Sequence, residues 1–151
     1  MVAIIGGEPS RFRPLVDLYR EAWLQAGHSA DGMKVGVHAL GYVAATTEQA
    51  ADDYFPGYAR AFNDVGKERG WGPVTRAAFD AQRGPRGALM IGDAETVTKK
   101  IMHYDEALGG ISRISFQMNA ASLPHAKLIA AIDIIGTRVA PAVRKLSLSG
   151  R

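Results

Sequence analysis

The chain has 151 residues, 47% hydrophobic and 22% charged, enough for one domain with a real core and too ordinary in composition for a disordered chain. With no cysteine there are no disulfides, thiolate metal sites or cysteine nucleophile, a pattern that suits a reducing cytoplasm. The formal charge of +3 comes from dispersed basic residues rather than a Lys/Arg block, and no aromatic-plus-basic motif accompanies them, which argues against nucleic-acid binding.

No apolar stretch approaches the ~20 residues of a membrane helix, and residues 1–12 lack the basic and apolar regions of a signal peptide. Residues 2–5 (VAII) form an apolar run stopped by Gly6-Gly7, the pattern of a buried strand entering a turn. Pro9 suits a first helical turn, and Pro14 marks a break before the main helix. Phe12, Leu15, Val16, Tyr19, Ala22, Trp23 and Ala26 then recur at three- and four-residue steps, predicting one apolar face, with Gly27 just past the end.

Residues 34–45 (KVGVHALGYVAA) are apolar on both faces, as in a parallel strand covered on both sides. Thr46 and Gln49 make a capping box for a helix through Ala50, Tyr54, Tyr58, Ala61 and Phe62, which Pro56 should bend or split. Tyr54, Phe55, Tyr58 and Phe62 read most simply as helix packing, or as a partner surface. Residues 70–87 read mostly as loop, and the 83–86 segment either closes over a phosphate or stays exposed.

A short apolar run at 88–91 precedes Asp93, the expected cap of a helix whose face is Val97, Ile101, Tyr104 and Leu108. Gly109-Gly110 ends it. Residues 113–118 (RISFQM) alternate polar and apolar, a further strand. Pro124 opens a last helix expected to bury Leu128, Ile129, Ile132 and Ile135, and the residues after Lys145 should fray. Strands alternating with helices imply right-handed crossovers and a parallel α/β sheet.

Several of these segments resemble the bacterial luciferase-like, flavin- or F420-dependent monooxygenases. Residues 3–22 (AIIGGEPSRFRPLVDLYREA) are similar to the third quarter of that family. So is the strand from Val35 through His38 to Val43 with the helix start after it. Residues 90–97 (MIGDAETV) resemble the family's Gly-Ser-Pro-Glu-x-Val element, with Asp93 and Ala94 in place of Ser and Pro. Residues 108–118 and Leu123-Pro124-His125 resemble its final strand and helix.

The resemblance implies a partial (β/α)₈ barrel, residues 1–145 supplying its C-terminal βα units and 146–151 a tail. It implies reduced FMN, or F420 in some branches, acting on a small organic substrate with O₂ or by hydride transfer. A whole barrel of this kind takes ~250 residues, so Met1 is expected near the start of about the sixth strand, and the inner sheet face is expected to be apolar and uncovered. The chain should therefore associate with itself, in a homo-oligomer, or with a chain carrying the missing N-terminal strands.

His38 is the candidate catalytic residue: pointing into the barrel near its mouth it could contact flavin or donate a proton, or else it is a packed histidine. Gly6, Gly7 and Ser10, where a strand gives way to a helix start, are candidate phosphate contacts, the alternative being a tight turn. Gln117 and Asn119, ending the last strand, fall where barrel enzymes place ligand contacts. His28, His103 and His125 show no metal-ligand spacing, and no Gly-x-Ser-x-Gly, Walker or Gly-x-Gly-x-x-Gly motif is present. Three functions remain open at this level: a flavin-dependent oxidoreductase needing further strands, a non-catalytic half-barrel interaction or structural subunit without flavin, or a small α/β ligand-binding protein that uses the exposed sheet face as its pocket.

Overall fold

A computed structural model describes residues 1–4 and 6–149, without the side chains of 148 and 149. Ile5 of the first apolar run and the last two residues of the expected tail lie outside the described residues.

The sheet is built around β2 (Gly36–Val43), and every strand pairs with it in parallel. Strand β1 (Val2–Ile4) runs beside its first half, Val2 opposite Gly36 and Ile4 opposite His38. On the other edge of that same half lies β4 (Arg113–Gln117), with His38 opposite Ser115 and Leu40 opposite Gln117. The short β3 (Met90–Gly92) pairs only with the second half, from Gly41 to Val43. The apolar run at 88–91 thus forms a short, buried strand against the far end of β2, and β4 adjoins β2 directly.

Chain connections follow from local chemistry. After β1 a 3-10 turn (Pro9–Phe12) leads into α1 (Arg13–Gln25), so the break sits just before Pro14. Thr46 Oγ1 accepts the Gln49 amide at 3.1 Å to start α2 (Thr47–Arg69). Helix α2 runs unbroken through Pro56: the missing N–H removes one helical bond, and the ring sits on the exposed side, so the expected split does not occur. The expected loop at 70–87 holds a further helix, α3 (Arg76–Arg83), capped by Thr75 and anchored by buried Phe79. Asp93 caps α4 (Ala94–Leu108) through the Thr96 amide at 2.8 Å, and Val97, Ile101, Tyr104 and Leu108 are all buried as expected. After β4 come a 3-10 turn (Asn119–Ala121), α5 (His125–Ile134), a π-turn (Ile135–Val139) and α6 (Ala140–Ser149).

Strand alternation sends odd and even β2 residues to opposite faces, and each face has its own core. Val35, Val37, Ala39 and Val43 pack with Met90 and with Val16, Val97, Ile101, Tyr104, Leu108 and Val139 of the helices. Tyr42 and Ala44 pack with Ala50, Ala51, Tyr54, Phe79, Leu89, Ile91 and Ala131. At Gly41 a Cβ would lie 2.3 Å from the Phe116 ring, so only glycine lets that ring pack across β2.

The second core covers only the C-terminal half of its face. Over the N-terminal half the sheet is open: Val2 is 69% and Ile4 73% exposed, beside Gly36, His38, Ser115 and Gln117. This open area is more polar than expected, because Ile114 and Phe116 point to the helix-covered side. Two other expectations fail similarly. Leu15 is exposed, Val16 alone of that pair being buried. Ile129 and Ile132 are exposed while Ala131 is buried: α5 (HAKLIAAIDI) is apolar on nearly every side, so spacing alone could not choose the inward one.

Candidate functional site

The open half-face carries a polar cluster that register alone assembles. His38 on β2 lies opposite Ser115 and beside Gln117, all three pointing the same way. Its Nδ1 is 3.0 Å from Ser115 Oγ and its Nε2 3.1 Å from Gln117 Oε1. Ser115 Oγ is also 3.4 Å from the Val37 carbonyl oxygen. From α2, the buried Tyr54 hydroxyl donates to the Gln117 backbone carbonyl at 3.0 Å. Burial, with the neighbouring Tyr58 adding to it, holds the Tyr54 phenol well above its ordinary range, so it stays a donor.

Farther along β2 the Tyr42 hydroxyl donates to Asp53 Oδ2 at 3.2 Å, and Lys127 Nζ reaches Asp53 Oδ1 at 2.5 Å. Burial first, then the Asp53 charge, pushes Tyr42 up to about 12. This network ties α5 to α2 and closes the sheet beyond His38.

Gly6 and Gly7 follow the strand whose Ile4 pairs with His38, at its C-terminal end. With Glu8 and Arg11 they face residues 81–87 across a depression of about 630 Å³. Ser10 is exposed in the 3-10 turn. Asn119 is exposed one residue beyond Met118, and among the described residues no hydrogen bond joins it to His38. His38 and Gln117 are therefore brought together, while Gly6, Gly7 and Ser10 form a separate rim. Ser115 and Tyr54 were not among the candidates; the alternation in RISFQ puts Ser115 on the face of Gln117, but only the pairing with β2 puts it against His38.

The 83–86 segment is held rather than loose. Lys100 is 3% exposed, and its ammonium donates to the carbonyls of Arg83 (3.2 Å), Gly84 (2.7 Å) and Leu89 (2.6 Å). Tyr104 donates to the Gly87 carbonyl at 3.1 Å. His103 meets Glu8 at 3.0 Å. Among the described residues no group of three or more His, Cys, Asp and Glu could hold a metal ion, and no helix is long and apolar enough to cross a membrane.

Comparison with known proteins gives this geometry its setting. No curated protein matches the chain. Among solved structures it is similar to the oxygenating constituent of 3,6-diketocamphane monooxygenase from Pseudomonas putida, a type II Baeyer-Villiger monooxygenase in complex with FMN. The TM-score is 0.73 at 21% identity, over 94% of this chain and 42% of that one. A monooxygenase from Streptomyces bottropensis gives 0.71 at 15% identity, over 93% and 40%. The coenzyme F420-dependent tetrahydromethanopterin reductase from Methanopyrus kandleri gives 0.56 at 16% identity, over 93% and 44%. These likenesses are of fold, and the chain spans about two fifths of each of those proteins. The model of the luciferase-like monooxygenases matches residues 1–110, more than two thirds of the sequence, and by that match the chain belongs to the luciferase-like monooxygenase family.

Proposed function

We propose that this chain contributes three adjacent strands, in the order β1-β2-β4, to a (β/α)₈ barrel that binds a flavin and oxidises a small organic substrate. The observation that carries the reading is the His38–Ser115–Gln117 cluster on a part of the sheet that no helix covers among the described residues. In such a barrel that face is the interior, and further strands, in the same polypeptide or another, would close it. The residues fit a flavin. Gly36, Val2 and Ile4 offer a flat, partly apolar floor for a ring system, and the cluster offers hydrogen-bonding groups at its edge. Gly6 and Gly7, with Arg11 beside them, suit a phosphate at the strand's C-terminal end, with Ser10 next to them.

A bound reduced FMN would supply electrons for oxygen chemistry, and F420 a hydride. The chain's residues would orient that group: His38 and Gln117 at the ring, the Gly6-Gly7 turn at the phosphate, Asn119 at the rim. Fluorescence titration with FMN, and separately with F420, tests this. Saturable binding weakened about tenfold, ~1.4 kcal/mol, by His38→Ala is expected; no response to either cofactor overturns the flavin reading.

A second reading has its own support. The exposed Val2 and Ile4 on an edge strand suit a non-catalytic interaction subunit, pairing with a second copy or with a chain that carries complementary strands. In either reading a cytoplasmic setting agrees with a chain that has no cysteine.

A further inference from the structure

The hydrogen bonds around His38 decide more than its position. A neutral imidazole carries one proton, and its neighbours determine which nitrogen holds it. Ser115 also has one hydroxyl proton and two acceptors within reach, His38 Nδ1 at 3.0 Å and the Val37 carbonyl at 3.4 Å. Hydroxyl hydrogen bonds fall within about 2.5–3.0 Å, so the ring nitrogen is the better placed of the two acceptors. Nδ1 is then an acceptor, and the ring proton sits on Nε2. At 3.1 Å from Nε2 the Gln117 side chain must present its oxygen. Its NH₂ group is left facing the open sheet, and among the described residues nothing accepts from it. The Tyr54 bond to the Gln117 backbone fixes the strand on which this amide turns.

We propose that Ser115 and Gln117 lock His38 as the neutral Nε2–H tautomer, and that this lock aims the Gln117 amide NH₂ as the donor for a planar ligand bearing carbonyl acceptors. Ser115 is a positioning residue, and Gln117 is the group that meets the ligand. The ligand half rests on the flavin-site reading; the tautomer half rests on geometry alone.

Nitrogen-15 NMR of the histidine rings in the whole chain tests the lock without any ligand, the His38 signals being identified by their loss in His38→Asn. A protonated Nε2 with an unprotonated Nδ1 at neutral pH is expected. In Gln117→Leu the bias should relax, with the Nδ1–H form appearing. Gln117→Glu keeps an acceptor for Nε2, removes the amide donors and adds a charge that favours the imidazolium, so it should keep the proton on Nε2 while FMN binding weakens about tenfold, ~1.4 kcal/mol. A protonated Nδ1 in the wild type overturns the lock even if FMN binds. Unchanged FMN affinity in Gln117→Glu overturns the donor role. A wild type that shows the Nε2–H form and ignores both FMN and F420 leaves the lock standing while the flavin reading and the donor role fall.

Discussion

The Tyr54 hydroxyl and the Gln117 carbonyl oxygen meet at 3.0 Å, joining the middle of α2 to the last residue of β4. This bond links residues 63 positions apart and fixes the strand end that carries the Gln117 side chain. Tyr54 is fully buried and stacks near Tyr42, their ring centroids 6.1 Å apart. Tyr54→Phe keeps the ring and removes the donor, leaving a partly buried carbonyl unpaired. Such a loss costs about 1–2 kcal/mol, read as a lower urea midpoint at unchanged slope. An unchanged midpoint would show that the bond holds nothing.

A second tie between the same regions is steric. At Gly57 a Cβ would lie 1.7 Å from the Ala121 carbonyl oxygen, a backbone atom that cannot rotate away. Gly57→Ala must therefore push α2 off the turn after β4, at a cost of about 1–3 kcal/mol for overpacking. Gly136, in the π-turn, has nothing within 4 Å of its would-be Cβ. Gly136→Ala is expected to be neutral or to stabilise by about 0.4–1 kcal/mol. Equal effects of the two substitutions in thermal unfolding would contradict this account.

These contacts show where the sequence was legible. Caps and turns were, because their chemistry is local: Thr46 and Asp93 each accept the amide three residues on, and Gly27 takes φ +77° at the end of α1. The buried face of α4 was legible because it mixes apolar with charged residues. That of α5 was not, since isoleucines surround it. Helix α3 was overlooked because the glycines and prolines around it outweighed Thr75, whose cap was the available signal. His38 and Gln117 were each visible as polar residues in strands, but their contact depends on which strand pairs with β2. The next strand in the chain, β3, takes only Gly41–Val43 of β2, and it is β4 that pairs with Gly36–Leu40 and brings Ser115 against His38. Which strands become neighbours across helical crossovers is a matter of long-range packing, and alternation within one strand gives only the face each side chain takes.

Lys100 gives a pH dependence of definite sign. Burial, reinforced by the nearby Arg83 charge, lowers its ammonium from 10.5 to about 8. The folded chain then binds fewer protons than the unfolded chain between those values, so this group makes stability rise with pH from about 8, by at most ~1.4 kcal/mol per pH unit. Above 10 the trend reverses. Tyr42, Tyr54 and Tyr104 are all raised from 10.0, chiefly by burial. They stay protonated in the fold while their unfolded counterparts ionise, and stability falls. Denaturant unfolding across pH should show a maximum between about 8 and 10. In Lys100→Met the rising limb should vanish while the falling limb persists. A wild-type curve flat from 8 to 10 would show that Lys100 keeps its ordinary proton affinity in the fold.

The open half-face makes the last prediction. Val2 and Ile4 project from an edge strand whose outer backbone edge has no strand partner among the described residues. Exposed backbone donors and acceptors beside apolar side chains form a template for another strand. The exposed state of both side chains means that lysine at either position costs the isolated fold little, within about 0.5 kcal/mol. The double variant Val2→Lys, Ile4→Lys should therefore fold like the wild type yet repel a partner strand. Light scattering after size exclusion should find the wild type above monomer mass at micromolar concentration, with an apolar dye bound, and the variant monomeric with the dye signal reduced. A wild type that remains a dilute monomer without dye binding would mean that the polar cluster, together with the coverage α2 and α5 give the rest of the face, is enough to keep this edge in water.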